Sequence, residues 1–254
     1  MRMRSNADPP DGWPRPRRSA GRVLGVVVAG LVSGLLAVAA AGAGDVLEGA
    51  GFALAAALAG HVAAIGINIL RPPRAAAGGR RIGVTEAGER GPAFPYARLP
   101  YYLLGATLLL TALLAAGFAV VVAAGGGVIG WLVAVVAGGF AVFVGWFLVV
   151  VLRLAPGTIV LTTSGIYHRS LVLEHFVPWE AVVDVEARDT WITVRALPME
   201  GTRERRHTGR LHTFEGTLLP FLVVRTWWLG AGAVPAYRAL RSRLDHPESR
   251  HDFD

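Results

Sequence analysis

Four long apolar segments constrain the fold of this chain more than any other feature. They occupy residues 23–43, 46–70, 99–124 and 128–152. No acidic or basic residue lies deep within them, and Glu48 stands only at the start of the second. A helix needs about 20 residues to cross the hydrocarbon of a bilayer, and a backbone in lipid must satisfy its own hydrogen bonds. The sequence therefore predicts four transmembrane α-helices.

The connections between these segments predict two helical hairpins. Gly44-Asp45 makes a tight turn, and the spacing of Asp45 and Glu48 is typical of a cap on the second helix. Gly125-Gly126-Gly127 makes an uncharged turn between the third and fourth segments. Residues 23–70 are thus expected to form the first hairpin and residues 99–152 the second.

The distribution of arginine predicts the orientation. The tail 1–22 has six arginines against two aspartates, and the segment 71–98 has six against two glutamates. Cytoplasmic loops carry the excess of positive charge, so both segments and both termini are expected inside the cell membrane. A secretory signal peptide ending in the small residues AVAAAGAG is the competing interpretation of the N-terminus. It is disfavoured because the first apolar run is long and the second follows within three residues.

Three polar side chains within the predicted spans have two interpretations. His61 and Asn68 share one face of the second helix, and His61 and Thr111 reach a similar depth. The functional interpretation is a gate or ligand site. The structural one is a hydrogen bond between the second and third helices, worth about 1 kcal/mol, and it is favoured. A proton or ion relay usually needs ionisable side chains deep in the membrane.

Small residues at helical spacing predict close packing of helices. Gly30 and Gly34 form a GxxxG pair, and Ala56 and Gly60 form a second small pair. Such pairs let backbones approach within one chain or between copies, so a homo-oligomer is compatible with the sequence. In a chain with 32 glycines these motifs also arise easily by chance.

The segment 71–98 is rich in Pro, Gly and Arg, which predicts a cytoplasmic loop rather than a long helix. Its arginines either contact anionic headgroups or only set the topology, and the second interpretation is favoured. Ile82–Thr85 is a candidate short strand that docks on the C-terminal domain.

Residues 153–254 have the pattern of a small cytoplasmic β domain. Ser164-Gly165 predicts a turn in which Gly165 takes a positive φ. Pro235 suits the first turn of a helix whose Leu240 and Leu244 face the sheet. Alternating β-branched residues predict strands over 158–162, 166–171, 176–185, 191–195 and 218–224.

Several residues of this domain resemble the bacterial pleckstrin-homology-like domains of actinobacterial membrane proteins. The resemblance implies a mainly β barrel closed by a C-terminal helix, with no catalytic residues. It implies no basic phosphate-binding motif. In it, Gly165 and Pro178 are structural anchors and Trp179 is a core anchor rather than a ligand contact. The matching positions are Leu161, Thr162, Gly165, Ile166, Arg169, Pro178 and Trp179, followed by His246-Pro247-Glu248-Ser249-Arg250.

The candidate contacts with a partner or lipid are arginines of this domain. Arg169, with His168 beside it, lines either an anionic site or a solvated strand face, and the second is favoured. The basic stretch within residues 200–213 either contacts the membrane or an acidic partner or is a disordered polar loop, which is favoured. Its members are Arg203, Arg205, Arg206 and Arg210.

Three classes of function remain: an interaction module, a small transporter or channel accessory component, and an enzyme. The sequence has no Gly-rich phosphate loop, metalloprotease motif, nucleophile elbow or clustered carboxylates, and no cofactor is predicted. Cysteine is absent, which excludes thiol chemistry. Nucleic-acid binding is unsupported because acidic residues are mixed with the arginines. The expected function is therefore a non-enzymatic scaffold or binding protein for a protein or lipid partner at the cytoplasmic face.

Overall fold

The computed structural model describes residues 20–70, 81–171, 173–188, 191–207 and 221–250. The chain divides into two units. The helical unit contains residues 20–70 and 99–153, and the β unit contains residues 81–98 and 154–250.

Four helices of the predicted length make up the helical unit. They are α1 (Ala20–Gly42), α2 (Val46–Leu70), α3 (Arg98–Ala124) and α4 (Gly127–Leu154). All four are long and apolar enough to cross a membrane, so the chain is a multi-pass membrane protein.

The two predicted turns are formed by capping and by glycine. Asp45 caps α2, because its Oδ1 accepts the N–H groups of Leu47 at 2.7 Å and Glu48 at 3.1 Å. Gly126 and Gly127 take φ values of 72° and 78°, which side chains other than glycine rarely adopt. Both tight turns therefore arise from the residues that predict them.

Small residues bring α1 and α2 together. The Ser33 hydroxyl donates to the Ala56 carbonyl at 2.8 Å. A Cβ added at Gly60 would lie 3.3 Å from the Ser33 oxygen, and one at Gly66 would collide with Val26. The Ala56/Gly60 pair thus lies in this interface. A Cβ added to either glycine of the Gly30/Gly34 pair meets nothing within 4 Å, so that pair does not close the hairpin.

Two antiparallel sheets and a C-terminal helix make up the β unit. The strand order is β1-β2-β3-β4-β5-β8 in the six-stranded sheet and β6-β7-β9 in the three-stranded sheet. A helical turn, Thr226–Leu229, leads into the C-terminal helix α5 (Ala233–Asp245). The strands are β1 (Arg81–Val84), β2 (Arg90–Pro95), β3 (Thr158–Leu161), β4 (Gly165–Arg169), β5 (Leu173–Pro178), β6 (Val182–Arg188), β7 (Trp191–Ala196), β8 (Arg203–Arg206) and β9 (Phe221–Arg225).

The first two strands come from the segment between α2 and α3. The candidate strand at Ile82–Thr85 is present as β1, and the following β2 pairs with β3 through Ala93↔Val160 and Pro95↔Thr158. Residues 81–98 therefore belong to one sheet with the C-terminal segment. Hydrogen-bonded strands share one side of a bilayer, and only α3 and α4 separate β2 from β3 in the chain. The two helices must therefore cross as a pair.

The core of the β unit consists of aliphatic side chains from both sheets and α5. Each such side chain contributes about 1.5–3 kcal/mol when fully buried. Leu240 of α5 is fully buried, as predicted, and Leu244 is half-buried. The Arg243 guanidinium donates to the Leu161 carbonyl at 3.0 Å, which fixes α5 to β3. Other fully buried members are Ile159, Ile166, Val185, Ile192 and Val194.

The predicted anchors pack against one another around the β3–β4 turn. Trp179 is 1% exposed, and its indole N–H donates to the Thr162 carbonyl at 2.9 Å, so it is a core residue. Gly165 does not take the predicted positive φ. Glycine is required there because a Cβ would collide with the Val177 carbonyl oxygen and lie 3.0 Å from the Pro178 Cα. Close approach of β5, rather than the turn, explains this residue.

Candidate functional site

The predicted basic loop contains an edge strand. Residues 203–206 form β8, which pairs with β5 and lies at the end of the six-stranded sheet. The expectation of a disordered polar loop is therefore wrong for these residues. The pairing register gives the physical reason, because it sets Arg205 opposite Glu174 and Glu204 opposite His175. We call β8 the arginine edge.

The arginines of this edge differ in their surroundings. Arg203 is exposed and has no ion-pair partner among the described residues. Arg205 lies 3.0 Å from Glu86 of the β1–β2 turn, but the two side chains are 65% and 58% exposed. A pair this exposed contributes about 0–1 kcal/mol, so a competing anion displaces it easily. The side chain of Arg206 and the whole of Arg210 lie outside the described part of the chain.

Arg169 is committed to the backbone of its own unit. It lies on β4, opposite Glu174, and one strand separates it from β8. Its Nη2 donates to the Pro156 carbonyl at 3.0 Å, and its Nε is buried without a hydrogen-bond partner. Arg169 is thus half-buried and does not join the exposed arginines of the edge.

His168 does not lie on a solvated face or line an anionic site. It is 3% exposed, on the side of β4 that faces the core beside Ile159. Burial, and then the proximity of His175, lower the pKa of His168 from 6.5 to about 3. The neutral ring shares a 2.6 Å hydrogen bond with the Tyr96 hydroxyl through Nε2, and its Nδ1 is buried without a partner. A neutral imidazole cannot attract anions as a cation does.

Tyr96 belongs to a clamp around the chain that leads into α3. Its ring stacks on Trp228 with a centroid distance of 5.8 Å, and Trp227 stacks on Trp228 at 4.3 Å. The backbone N–H of Tyr96 donates to Gly157 at 2.8 Å, and that of Ala97 donates to Trp228 at 2.7 Å. Sequence reasoning missed this clamp, because its members are brought together only by the fold.

Two histidine–glutamate pairs join β8 to β5, one on each face of the sheet. His175 of β5 lies 3.1 Å from Glu204 of β8. On the other face His207, which follows β8, lies 3.7 Å from Glu174 of β5. The second distance suits an ion pair but is too long for a hydrogen bond, and both atoms are buried without a hydrogen-bond partner.

A tyrosine completes the more buried of the two pairs. Glu174 is 7% exposed, and Tyr167 of β4 hydrogen-bonds its carboxylate. Burial, and then the negative charge of Glu174, raise the pKa of Tyr167 to about 12. The phenol therefore stays protonated and remains a donor to Glu174 at neutral pH.

The polar residues of the helices are mostly satisfied within their own helix. His61 Nδ1 lies 2.8 Å from the Ala57 carbonyl, and the Thr111 hydroxyl donates to Thr107 at 2.8 Å. The expected bond between His61 and Thr111 is therefore not formed. The contact of His61 with α3 is made instead by Tyr102, whose ring centroid lies 5.8 Å away. Asn68 Nδ2 is buried without a hydrogen-bond partner.

Two searches complete the description of the site. Within the described ranges, no three His, Asp or Glu side chains lie close enough to hold a metal ion. Comparison of the chain with protein-family models, curated proteins and solved structures finds no match.

Proposed function

We propose that this protein is a membrane-anchored interaction module that binds an acidic protein segment or anionic lipid at the arginine edge. The β unit lies on the cytoplasmic side, and its fold is of the pleckstrin-homology-like kind. The protein acts as a scaffold or binding protein and catalyses no reaction.

The observation that carries this proposal is the state of β8. An edge strand leaves one row of its backbone N–H and C=O groups without a sheet partner. Here that row is accompanied by the exposed Arg203 and by Arg205, which only a weak exposed pair occupies. Charged groups at a surface steer partners of opposite charge and set specificity. An acidic extended segment matches both features.

The arginine distribution supports the cytoplasmic location. The segment 71–98 supplies two strands of the β unit and has six arginines against two glutamates. Positive loops remain inside, so a sheet built from this segment is held there too. A reporter enzyme fused after Asp254 tests the orientation. Activity that appears only when the reporter lies outside the cytoplasm contradicts the proposal.

Co-purification from native membranes tests the binding surface. The full-length protein is compared with R203Q/R205Q and with R81Q/R90Q, a control that removes equal charge from the β1–β2 hairpin. We expect partners held by the unaltered protein and by the control to be lost from R203Q/R205Q. Retention of the same partners by R203Q/R205Q contradicts binding at this edge.

A further inference from the structure

The arginine edge is attached to the sheet by only one neighbouring strand, and histidine contributes to both side-chain pairs across that junction. β8 spans four residues and pairs only with β5 among the described strands. One pair places the imidazole on β5, and the other places it just after β8. Imidazole is the side chain that ordinarily changes charge between pH 5 and 8.

We propose that protonation of His175 and His207 fixes β8 onto β5, and that loss of these protons at higher pH loosens the arginine edge. The docking equilibrium is a property of the fold alone. Its consequence for binding rests on the proposed function, because a firmly docked β8 presents its arginines and its open backbone row in strand geometry.

The pair on the core-facing side responds to pH in a simple way. His175 faces Glu204 on β8 and His168 on β4. His168 is buried and stays neutral throughout this pH range, so no cation competes with His175 from β4. Protonation of His175 therefore converts its 3.1 Å contact with Glu204 into a charge-assisted hydrogen bond.

The pair on the opposite face has room to tighten. His207 Nε2 and Glu174 Oε2 lie 3.7 Å apart, beyond hydrogen-bond distance, although both atoms are buried. An imidazolium N–H donates to a carboxylate at about 2.8 Å, so a small shift of His207 would satisfy both groups. Tyr167 already holds the Glu174 carboxylate in place.

Other charged groups near His207 oppose one another. Arg169 on β4 lies opposite Glu174, and Arg205 on β8 lies on its other side. Both disfavour a further positive charge. Glu86 of the β1–β2 turn pairs with Arg205 and offsets part of this repulsion. Glu174 is the nearest and most buried of these groups, so it dominates the charge state of the imidazole.

The direction of the pH effect follows from proton linkage. Each histidine has a carboxylate partner when β8 is docked and loses that partner when β8 separates. The docked state thus binds protons more tightly, and docking weakens as the pH rises. Each pair is partly exposed, so the two together are expected to change docking on the order of tenfold between pH 5.5 and 8.

Hydrogen exchange on the full-length protein in lipid nanodiscs tests this proposal without a partner. Protection factors of residues 203–206 are measured at pH 5.5 and 8 relative to β4. His168 titrates only when the whole unit unfolds, so its effect reaches both strands and cancels in the ratio. We expect relative protection of β8 to fall about tenfold as the pH rises. Protection that is constant across this range overturns the proposal.

Two double variants identify the groups responsible. H175Q/H207Q removes the titrating rings, and E174Q/E204Q removes their partners. Both are expected to abolish the pH dependence of β8 protection, while H246Q at the end of α5 keeps it. Persistence of the full dependence in H175Q/H207Q overturns the proposal. If the pH dependence is confirmed but partners survive in R203Q/R205Q, the proposed binding function fails and the docking equilibrium stands.

Discussion

The helical unit and the β unit satisfy their polar side chains at very different sequence distances. In the helical unit His61 and Thr111 bond to carbonyls four residues earlier in the same helix. In the β unit His168 bonds to Tyr96, 72 residues away, and Arg243 bonds to a carbonyl 82 residues away. Each helix is therefore nearly complete in itself, whereas the β unit is complete only when its two chain segments meet. Changes in the β unit should have the larger effects.

Trp179→Ala is expected to have the largest effect on this contrast. The variant removes a fully buried indole and its hydrogen bond to Thr162, and substitutions of this kind lower stability by about 3–5 kcal/mol. Near-ultraviolet circular dichroism and urea unfolding should show a destabilised β unit and intact helices. Trp191→Ala is the control, because Trp191 is 38% exposed and its loss should be mild. Equal losses in the two variants contradict the assigned core.

Tyr96→Phe tests the bond between the two segments of the β unit. The variant keeps the ring on Trp228 but removes the hydroxyl that bonds His168. Both ring nitrogens of His168 are then buried without a hydrogen bond to Tyr96, which costs about 1–3 kcal/mol. Urea unfolding measures the loss. Tyr102→Phe, at an exposed position of α3, should leave stability unchanged, and a comparable effect there would contradict the argument.

Acid should weaken the β unit through His168. The folded state holds its pKa at about 3, below the ordinary 6.5, so the unfolded chain binds a proton that the folded chain excludes. Stability is therefore undiminished above pH 6.5 and falls as the pH decreases toward 3. At pH 5 the loss is about 2 kcal/mol, measured by urea unfolding at pH 7 and 5. His168→Gln should remove most of this slope, and an unchanged slope would exclude His168 as its source.

The sequence predicts the helical unit almost completely and the β unit only in part. Runs such as 23–43 need only length and lack of charge to form a span, and Asp45 caps its helix from an adjacent position. In contrast, nothing local to Arg203–Arg206 shows that β5 provides a partner strand. His168 looks exposed in an alternating strand because its burial depends on Tyr96, which lies beyond two transmembrane helices in the sequence.

Ser33→Ala tests the exception in the helical unit, where a side chain bonds across to another helix. Its hydroxyl donates to Ala56 at 2.8 Å, and alanine would keep the close packing that Gly60 allows. Interhelical hydrogen bonds in membranes contribute about 0.6 kcal/mol on average, because the unfolded chain in lipid also finds partners. Denaturation in mixed micelles should therefore show a small loss, with Gly34→Ala as the control since its added methyl meets open space. A loss as large as that of Tyr96→Phe would show that remote polar bonds matter equally in both units, and the contrast between them would fail.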